Sequence, residues 1–155
     1  MARNYKKASK PFGSIWALVL GLASAGPSLA ADSSPEGLWK TVDDHSGAAR
    51  ALVRIYRQDD SFYGRVEASL VPGEENARCT GCTDDRKDQL VVGMVILRGL
   101  KPDDDEFAGG DILDPETGSV YRCLMRLEDD GKRLVVRGYL GLSLFGRSQN
   151  WQRAE

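Results

Sequence analysis

Beyond Gly37, apolar and polar residues alternate along the chain with a period of two, and clusters of turn-forming residues interrupt the alternation. In the clearest segment, 62–70, one face is apolar (Phe62, Val66, Ala68, Leu70) and the other is polar (Tyr63, Arg65, Glu67, Ser69). Because side chains on a β-strand point alternately to opposite sides, this pattern predicts a strand with one buried and one solvated face.

Further runs of this kind predict eight strands: Gly37–Val42, Ala51–Arg57, Phe62–Leu70, Leu90–Arg98, Glu106–Leu113, Val120–Leu127, Arg133–Leu140 and Leu144–Arg153. Most connections are short and contain turn residues, such as Pro115 and Gly118 or the Asp-Gly dipeptide at 130–131. The pattern therefore predicts an all-β, antiparallel, up-and-down barrel of eight strands, since closure leaves no strand edge exposed. A two-sheet sandwich is the alternative.

Residues 1–30 have the three parts of a secretory signal: a basic stretch, an apolar run from Ile15 to Ala25, and a small-residue cleavage site at Ser28–Ala30. The apolar run is much shorter than the ~20 residues that a spanning helix needs. We therefore expect a signal peptide over 1–30 that is cleaved after Ala30, a single domain over 31–155, and a periplasmic location. An uncleaved N-terminal anchor is the alternative.

The charge balance of the mature chain limits its partners. The whole chain has 21 basic and 23 acidic residues, of which the signal contains four basic ones and no acidic ones, so the mature part carries a formal charge of −6. Nucleic acids and anionic lipids bind basic surfaces, so this charge argues against both as partners. The longest apolar run of the mature part, Leu90–Leu97, is too short to form a transmembrane helix.

The long connection Val71–Gln89 has no periodicity and contains Cys79 and Cys82. In an exported protein, a disulfide between these two residues is the expected state. Cys123 lies on the apolar face of its predicted strand and should be a buried free thiol. The alternative, a redox centre, would need a helix N-terminus that stabilises a thiolate, whereas a charged turn follows Cys82.

Few residues could support catalysis, a metal or a cofactor. His45 is the single histidine, it lies in a predicted turn, and no Gly-x-Ser-x-Gly motif is present. The acidic run Asp103–Glu106 lacks the glycine of a calcium loop, because Ala108 occupies that position. Covalent haem attachment would require a histidine where Thr83 stands. We therefore predict no catalytic residues, no metal and no cofactor.

Arginines recur within the predicted strands, among them Arg54, Arg65, Arg122, Arg126, Arg137, Arg147 and Arg153. A solvated face on which arginines pair with nearby acidic residues is the expected arrangement, and an anion-binding interior is the alternative. Strand parity predicts that Arg122 and Arg126 point outward, whereas it assigns neither Arg137 nor Tyr139 to a face.

A set of short motifs occurs in one order along the mature chain: Gly37–Thr41 (GLWKT), Cys79–Cys82 (CTGC), Val92–Leu97 (VGMVIL), Gly109–Pro115 (GGDILDP), Tyr121, Val136–Gly141 (VRGYLG) and Trp151–Arg153 (WQR). In these motifs the chain resembles the secreted bacterial family known as domain of unknown function 2147. The resemblance extends from about Pro35 to the end of the chain. It implies no particular chemistry, since that family has no established activity or ligand.

The segment Gly37–Trp39 also resembles the Gly-x-Trp motif of lipocalin-type barrels, whose last strand contributes an arginine that packs over the tryptophan. Arg153 is the residue of this chain that matches that arginine. The resemblance implies a lipocalin-like barrel in which Gly37, Trp39 and Arg153 form a structural plug at one end, with the guanidinium stacked on the indole ring.

Two main function classes remain open, together with a third, a CxxC redox protein. The first is a monomeric barrel that binds a small apolar or amphipathic ligand inside, with the disulfide loop at its rim. The second is a cell-envelope interaction or stress-protection module with a filled core, which acts through its surface. The interior side chains distinguish these two classes: no ligand fits if the barrel is filled, for example by Phe62, Val66, Leu124, Met125 and Val136.

Overall fold

Eight antiparallel strands follow one another along the chain and close into a barrel in the order in which they occur. The computed structural model describes residues 34–155, so the signal peptide predicted over 1–30 lies outside the described residues. The strands are β1 (Gly37–Val42), β2 (Ala49–Gln58), β3 (Ser61–Ser69), β4 (Val95–Asp103), β5 (Glu106–Asp114), β6 (Ser119–Glu128), β7 (Arg133–Tyr139) and β8 (Gly146–Arg153). β1 pairs with β8, where Trp39 lies opposite Arg153 and Lys40 opposite Gln152. The predicted all-β barrel is confirmed, and the sandwich alternative is wrong.

The fourth strand lies further along the chain than the sequence pattern predicts. Leu90–Arg98 was the predicted range, whereas β4 begins at Val95 and ends at Asp103. Leu90 instead forms an isolated bridge with Arg78, and Gly93 has a φ of 93°, which turns the chain before the strand starts. The apolar run from 90 to 94 is therefore part of the long connection, and its hydrophobicity serves packing of that connection rather than strand pairing.

A β-bulge corrects the predicted faces of β3. Leu52 pairs with Ala68 and Val53 pairs with Val66, so β3 has one extra residue at this point. Beyond the bulge Ser69 lines the barrel interior, while Ala68 is not among the lining residues and Leu70 is exposed. The prediction that Ala68 and Leu70 share the inner face with Phe62 is therefore wrong. An inserted residue shifts the alternation by one position, so the residues beyond it point to the opposite face.

The two ends of the barrel differ in the connections that they carry. One end, called the closed end, has the short turns at 59–60, 104–105 and 129–132, together with both chain termini of the barrel. Asp59, Asp104, Asp129 and Asp130 adopt positive φ values in these turns, a conformation that aspartate tolerates better than most residues. The other end, called the open end, carries the longer connections at 43–48, 70–94, 115–118 and 140–145.

The hydrophobic core fills the half of the barrel next to the closed end. Large buried side chains from successive strands meet there: Trp39, Ile55, Phe62, Leu97, Leu100, Met125, Leu134 and Trp151. The rings of Phe62 and Phe107 pack edge to face, with 5.1 Å between their centroids. Within the described part of the chain, no helix has the length and apolar character needed to cross a membrane.

β6 follows strand parity as predicted. Arg122 and Arg126 are exposed, whereas Cys123 and Met125 between them are buried. Burial raises the pKa of the free Cys123 thiol to about 12, so this sulfur stays protonated and unreactive in the folded protein. Leu124 lies on the same outer face of β6 as Arg122 and Arg126, and it is paired with Arg137 on β7. It therefore does not fill the barrel together with Met125.

Candidate ligand-binding cavity

A cavity of about 840 Å³ occupies the half of the barrel next to the open end. Its wall is built from apolar side chains of several strands, including Val53, Val66, Ile96, Leu113 and Val136. Ala51 and Ser69, which lie opposite each other on β2 and β3, are small residues that leave space in the wall. Ligand cavities of proteins have volumes of roughly 300–1,000 Å³, so this one can hold a molecule of metabolite or lipid-chain size.

The interior is thus neither entirely filled nor entirely hollow. Of the side chains that decide this question, Phe62 and Met125 belong to the filled half, whereas Val66 and Val136 are short enough to line the cavity rather than close it. Leu124 lies on the outside of β6, opposite Arg137, so it does not take part in filling the barrel. The interior therefore has room for a ligand, because side chains fill only the half of the barrel next to the closed end.

Trp151 lies at the floor of the cavity, at the boundary with the filled half. Its indole N–H donates a hydrogen bond of 3.1 Å to the side-chain oxygen of Gln149, which also lines the cavity. Trp39 lies on the neighbouring strand β1, is fully buried, and donates from its indole N–H to the carbonyl of Pro35 at 2.8 Å. Both indole N–H groups therefore have partners, and the buried ring of Trp151 presents its apolar surface to the cavity.

Arg153 packs against Trp39 at the closed end. The guanidinium carbon lies 4.3 Å from the centroid of the indole ring, which is cation–π distance. The guanidinium also donates to three carbonyls, those of Gly131 at 2.6 Å, Glu36 at 2.8 Å and Ser34 at 2.9 Å. A Cβ atom on Gly37 would lie 2.7 Å from this guanidinium, so only glycine leaves room for it. That these residues stabilise the end of the barrel stays a prediction.

Two arginine–carboxylate pairs lie at the mouth of the cavity. Arg147 of β8 donates two hydrogen bonds to Asp44, one of them from Nε at 2.8 Å. Arg50 of β2 pairs with Glu116 of the β5–β6 turn. The hydrogen bonds from Arg147 hold the pKa of Asp44 well below its usual range, so that pair stays charged on both sides. Tyr121 and Tyr139 add aromatic surface beside these pairs. The mouth therefore carries charged pairs above an interior that is lined mainly by apolar residues, an arrangement that suits an amphipathic molecule.

The long connection between β3 and β4 forms one side of the mouth. Cys79 and Cys82 are joined by a disulfide, as predicted, and both are buried. A Cβ on Gly81 would lie 2.5 Å from the carbonyl oxygen of Thr117, so the disulfide loop packs backbone to backbone on the β5–β6 turn. Residues Ala77 and Val91 of the same connection line the cavity. Burial keeps the disulfide away from solvent, which disfavours the redox interpretation.

Ion pairs attach the disulfide loop to the barrel wall. The guanidinium of Arg98 on β4 makes two hydrogen bonds to Asp85, of 3.0 and 2.9 Å. Arg86 is buried, donates to Asp84 at 2.6 Å, and reaches the carbonyl of Val95 at 3.3 Å. Hydrogen bonds from Arg86 lower the pKa of Asp84 to about 2, so this pair is charged at neutral pH. These contacts hold the disulfide loop against β4.

His45 lies in an exposed turn, as predicted, next to Asp43 and Asp44. The two carboxylates already have partners: Asp43 accepts from the backbone and hydroxyl of Ser46, each at 2.8 Å, and Asp44 accepts from Arg147. An exposed cluster with occupied carboxylates has no feature that points to a bound ion.

One part of the mouth was missed by the sequence reasoning. Leu140 and Leu144 were assigned to strands, whereas the connection between β7 and β8 covers 140–145 and exposes Leu140, Leu142, Leu144 and Phe145. Leu144 and Phe145 also line the mouth of the cavity. The available signal was the alternation of these residues with glycine and serine between Gly138 and Gly146, since small flexible residues disfavour a continuous strand.

Comparisons with known proteins agree with the fold. A family model described as an uncharacterized protein conserved in bacteria (DUF2147) matches residues 37–153. The solved structure of protein HP1028 from the human pathogen Helicobacter pylori, which is reported to belong to the lipocalin family, is similar with a TM-score of 0.68. The match has 18% sequence identity and covers 79% of this chain and 84% of that chain, so it shows a shared fold. No curated protein matches the sequence significantly.

Proposed function

The chain belongs to the uncharacterised bacterial family DUF2147, and we propose that it is a monomeric, periplasmic binding protein for a small amphipathic molecule with an apolar chain. The observation that carries the proposal is the cavity of about 840 Å³ between the floor at Trp151 and the open end. An apolar chain inside this cavity would cover lining residues that are only partly buried, such as Ala51, Val91 and Ile112.

The mouth supports an orientation for such a ligand. Its charged pairs, Arg147 with Asp44 and Arg50 with Glu116, lie where a polar head group would emerge. Each arginine has a carboxylate partner, so the rim presents both signs of charge rather than a site for one kind of ion. A neutral or zwitterionic head group therefore suits the mouth better than a highly charged one.

The periplasmic location is supported by the signal-like segment 1–30 and by the disulfide between Cys79 and Cys82, which is typical of oxidising compartments. Binding without catalysis is supported by the chemistry of the cavity. His45 is not among the lining residues and lies in an exposed turn, and the lining carboxylates of Asp43 and Glu116 are engaged by Ser46 and Arg50.

Titration with a dansyl-labelled undecanoic acid tests the proposal, because the fluorescence of this probe rises and shifts to the blue in an apolar cavity. Ala51→Trp should fill the space beside β3 and weaken binding at least tenfold, and Ser69→Trp provides an independent block if the first variant folds poorly. Leu52→Trp is the matched control, since Leu52 neighbours Ala51 on β2 and is absent from the cavity lining. Binding by wild type that neither blocking variant weakens would contradict the proposal.

A further inference from the structure

The connection between β7 and β8 carries a cluster of exposed apolar side chains. Leu140, Leu142, Leu144 and Phe145 are between 65% and 78% exposed. We call residues 140–145 the apolar tip. Soluble surfaces rarely expose several large apolar residues side by side unless the patch contacts a partner or a membrane.

Among the described residues, the large apolar side chains that are exposed lie at one end of the barrel. Within residues 34–155, the large hydrophobic residues that are exposed are Leu70, Leu90, Val120, Leu140, Leu142, Leu144 and Phe145. Every one of them belongs to an open-end connection or to the adjoining end of a strand, whereas the closed end has none among the described residues. The barrel is thus amphipathic along its axis.

Part of the backbone of the apolar tip is hydrogen-bonded within the protein. Arg137 donates from Nε to the carbonyl of Ser143 at 2.7 Å and from Nη2 to that of Leu144 at 3.0 Å, while the N–H of Phe145 donates to the carbonyl of Leu142. A loop that enters an apolar medium must satisfy its polar backbone groups internally, because no water is available there. Arg137 meets this requirement for two carbonyls of the tip and also fixes the position of the tip.

The charges around the apolar tip suit the lipid–water boundary. Arg147 at the base of the tip is paired with Asp44, and the guanidinium of Arg137 donates to the carbonyls of the tip and to the hydroxyl of Ser148. The cations next to the tip therefore already have partners, which suits the polar head-group region of a bilayer without requiring an anionic lipid. Because the protein carries a net negative charge, a zwitterionic bilayer fits it better than an anionic one.

We propose that the apolar tip inserts into a zwitterionic phospholipid bilayer and seats the open end of the barrel on the lipid surface. A bilayer is favoured over a second protein because Leu144 and Phe145 line the mouth of the cavity. A protein that covered them would close the route to the interior, whereas a bilayer covers them and is itself a source of amphipathic molecules. The purpose of this docking rests on the proposed function, although the docking itself is measured separately.

Flotation with phosphatidylcholine vesicles measures the docking. The processed protein, residues 31–155, is used, because the sheet closes on itself within residues 37–153. We expect it to float with the vesicles and Leu142→Ser/Leu144→Ser to partition at least tenfold more weakly. Leu90→Ser, which changes an exposed leucine outside the tip, should stay within twofold of wild type. Failure of the wild-type protein to float, or equal loss in the Leu90 control, would overturn the proposal.

Insertion is distinguished from surface contact by a tryptophan at the tip. The two tryptophans of the processed chain, Trp39 and Trp151, are buried, so Phe145→Trp adds an exposed one. Its emission should shift to the blue with vesicles and be quenched by phospholipids brominated on their acyl chains. Leu90→Trp should show neither change. Flotation without quenching at position 145, or a dimer in light scattering that Leu142→Ser/Leu144→Ser dissociates, would overturn insertion.

The cavity variant separates this proposal from the proposed function. Ala51→Trp should lose the dansyl probe and keep flotation, because position 51 is inside the barrel. Loss of flotation in Ala51→Trp, with the barrel still folded by circular dichroism, would contradict docking through the apolar tip. Wild-type protein that floats but never binds the probe would refute the carrier proposal and leave the docking intact.

Discussion

Replacing Arg153 with alanine tests whether the closed end depends on the contact between this arginine and Trp39. The substitution removes a cation–π contact at 4.3 Å and three hydrogen bonds to backbone carbonyls. It also leaves a space over the indole ring, which is otherwise fully buried. All of these losses act in the same direction, so the barrel should become less stable.

The magnitude follows from the partial burial of the arginine. A cation–π contact of this kind is worth about 1–2 kcal/mol when it is partly desolvated. A hydrogen bond from a charged donor contributes about 1.5–3 kcal/mol, but the carbonyls of Ser34 and Glu36 lie near the chain terminus and can bind water instead. Counting one such bond, we expect Arg153→Ala to lower the free energy of unfolding by about 3 kcal/mol. For a domain of this size that corresponds to a melting temperature lower by roughly 10 °C.

Urea denaturation followed by tryptophan fluorescence measures this change, since both tryptophans of the barrel are buried. Arg65→Ala is the matched control: Arg65 also lies in a strand and over an aromatic ring, that of Tyr56 at 5.4 Å, but it is exposed. The control should cost about 0.5 kcal/mol. Arg153→Lys should fall between wild type and alanine, because it keeps the charge and loses the planar fork. Equal losses in Arg153→Ala and Arg65→Ala would refute the plug.

Three further predictions concern the rim and the disulfide. Thiol counting should find one free sulfhydryl in denaturant and none in the folded protein, and three thiols in denaturant would refute the disulfide. The double substitution Cys79→Ala/Cys82→Ala should lower the free energy of unfolding by about 2 kcal/mol, because the ring that the disulfide closes is short. Gly81→Ala should displace the disulfide loop and raise the rate at which a protease cleaves it. Gly138→Ala is the control, because a Cβ there meets only ordinary contacts at 3.4 Å, and it should leave this rate unchanged. Equal cleavage rates in the two variants would refute the close packing. Because the pKa of Asp84 is lowered to about 2, the stabilising contribution of its carboxylate is complete above about pH 4 and is lost as the pH falls towards 2. The free energy of unfolding of Asp84→Asn should therefore change less with pH in this range than that of wild type. The same pH dependence in both proteins would contradict the ion pair.

The barrel could be predicted from the sequence because local signals agree with its topology. Turn residues such as Pro115, Gly118 and Gly131 mark connections that the structure also has, and β1 matches its predicted bounds, Gly37–Val42. The likeness to a lipocalin-like fold is confirmed by the family match and by the similarity to HP1028. Antiparallel neighbours joined by short connections leave few alternative topologies, which explains this agreement.

The errors lie where tertiary packing overrides the local pattern. The apolar residues 90–94 look like strand residues, but they pack the long connection, and β4 instead runs through Pro102, which pairs with Phe107 of β5. The bulge opposite Leu52 cannot be read from hydrophobicity, because an inserted residue leaves the composition of the strand unchanged.

The volume of the cavity could not be predicted from the sequence. The existence of the cavity depends on how far side chains such as Val66 and Val136 extend into a barrel of fixed radius, and one more carbon atom per residue would change the volume substantially. The disulfide could be predicted because Cys79 and Cys82 are close in sequence and Cys123 is in a buried strand. The exposed apolar tip was misassigned because Leu140 and Leu144 extend the alternation of the strands on either side.

Native mass spectrometry of the protein purified from the bacterium that produces it tests the central claim most directly, because it detects what fills the cavity without a choice of probe. The account predicts a reproducible adduct of one small amphipathic molecule per chain, which is absent from the Ala51→Trp variant prepared in the same way. A clean mass of the unliganded chain, together with no change in melting temperature across panels of lipids and metabolites, would contradict it.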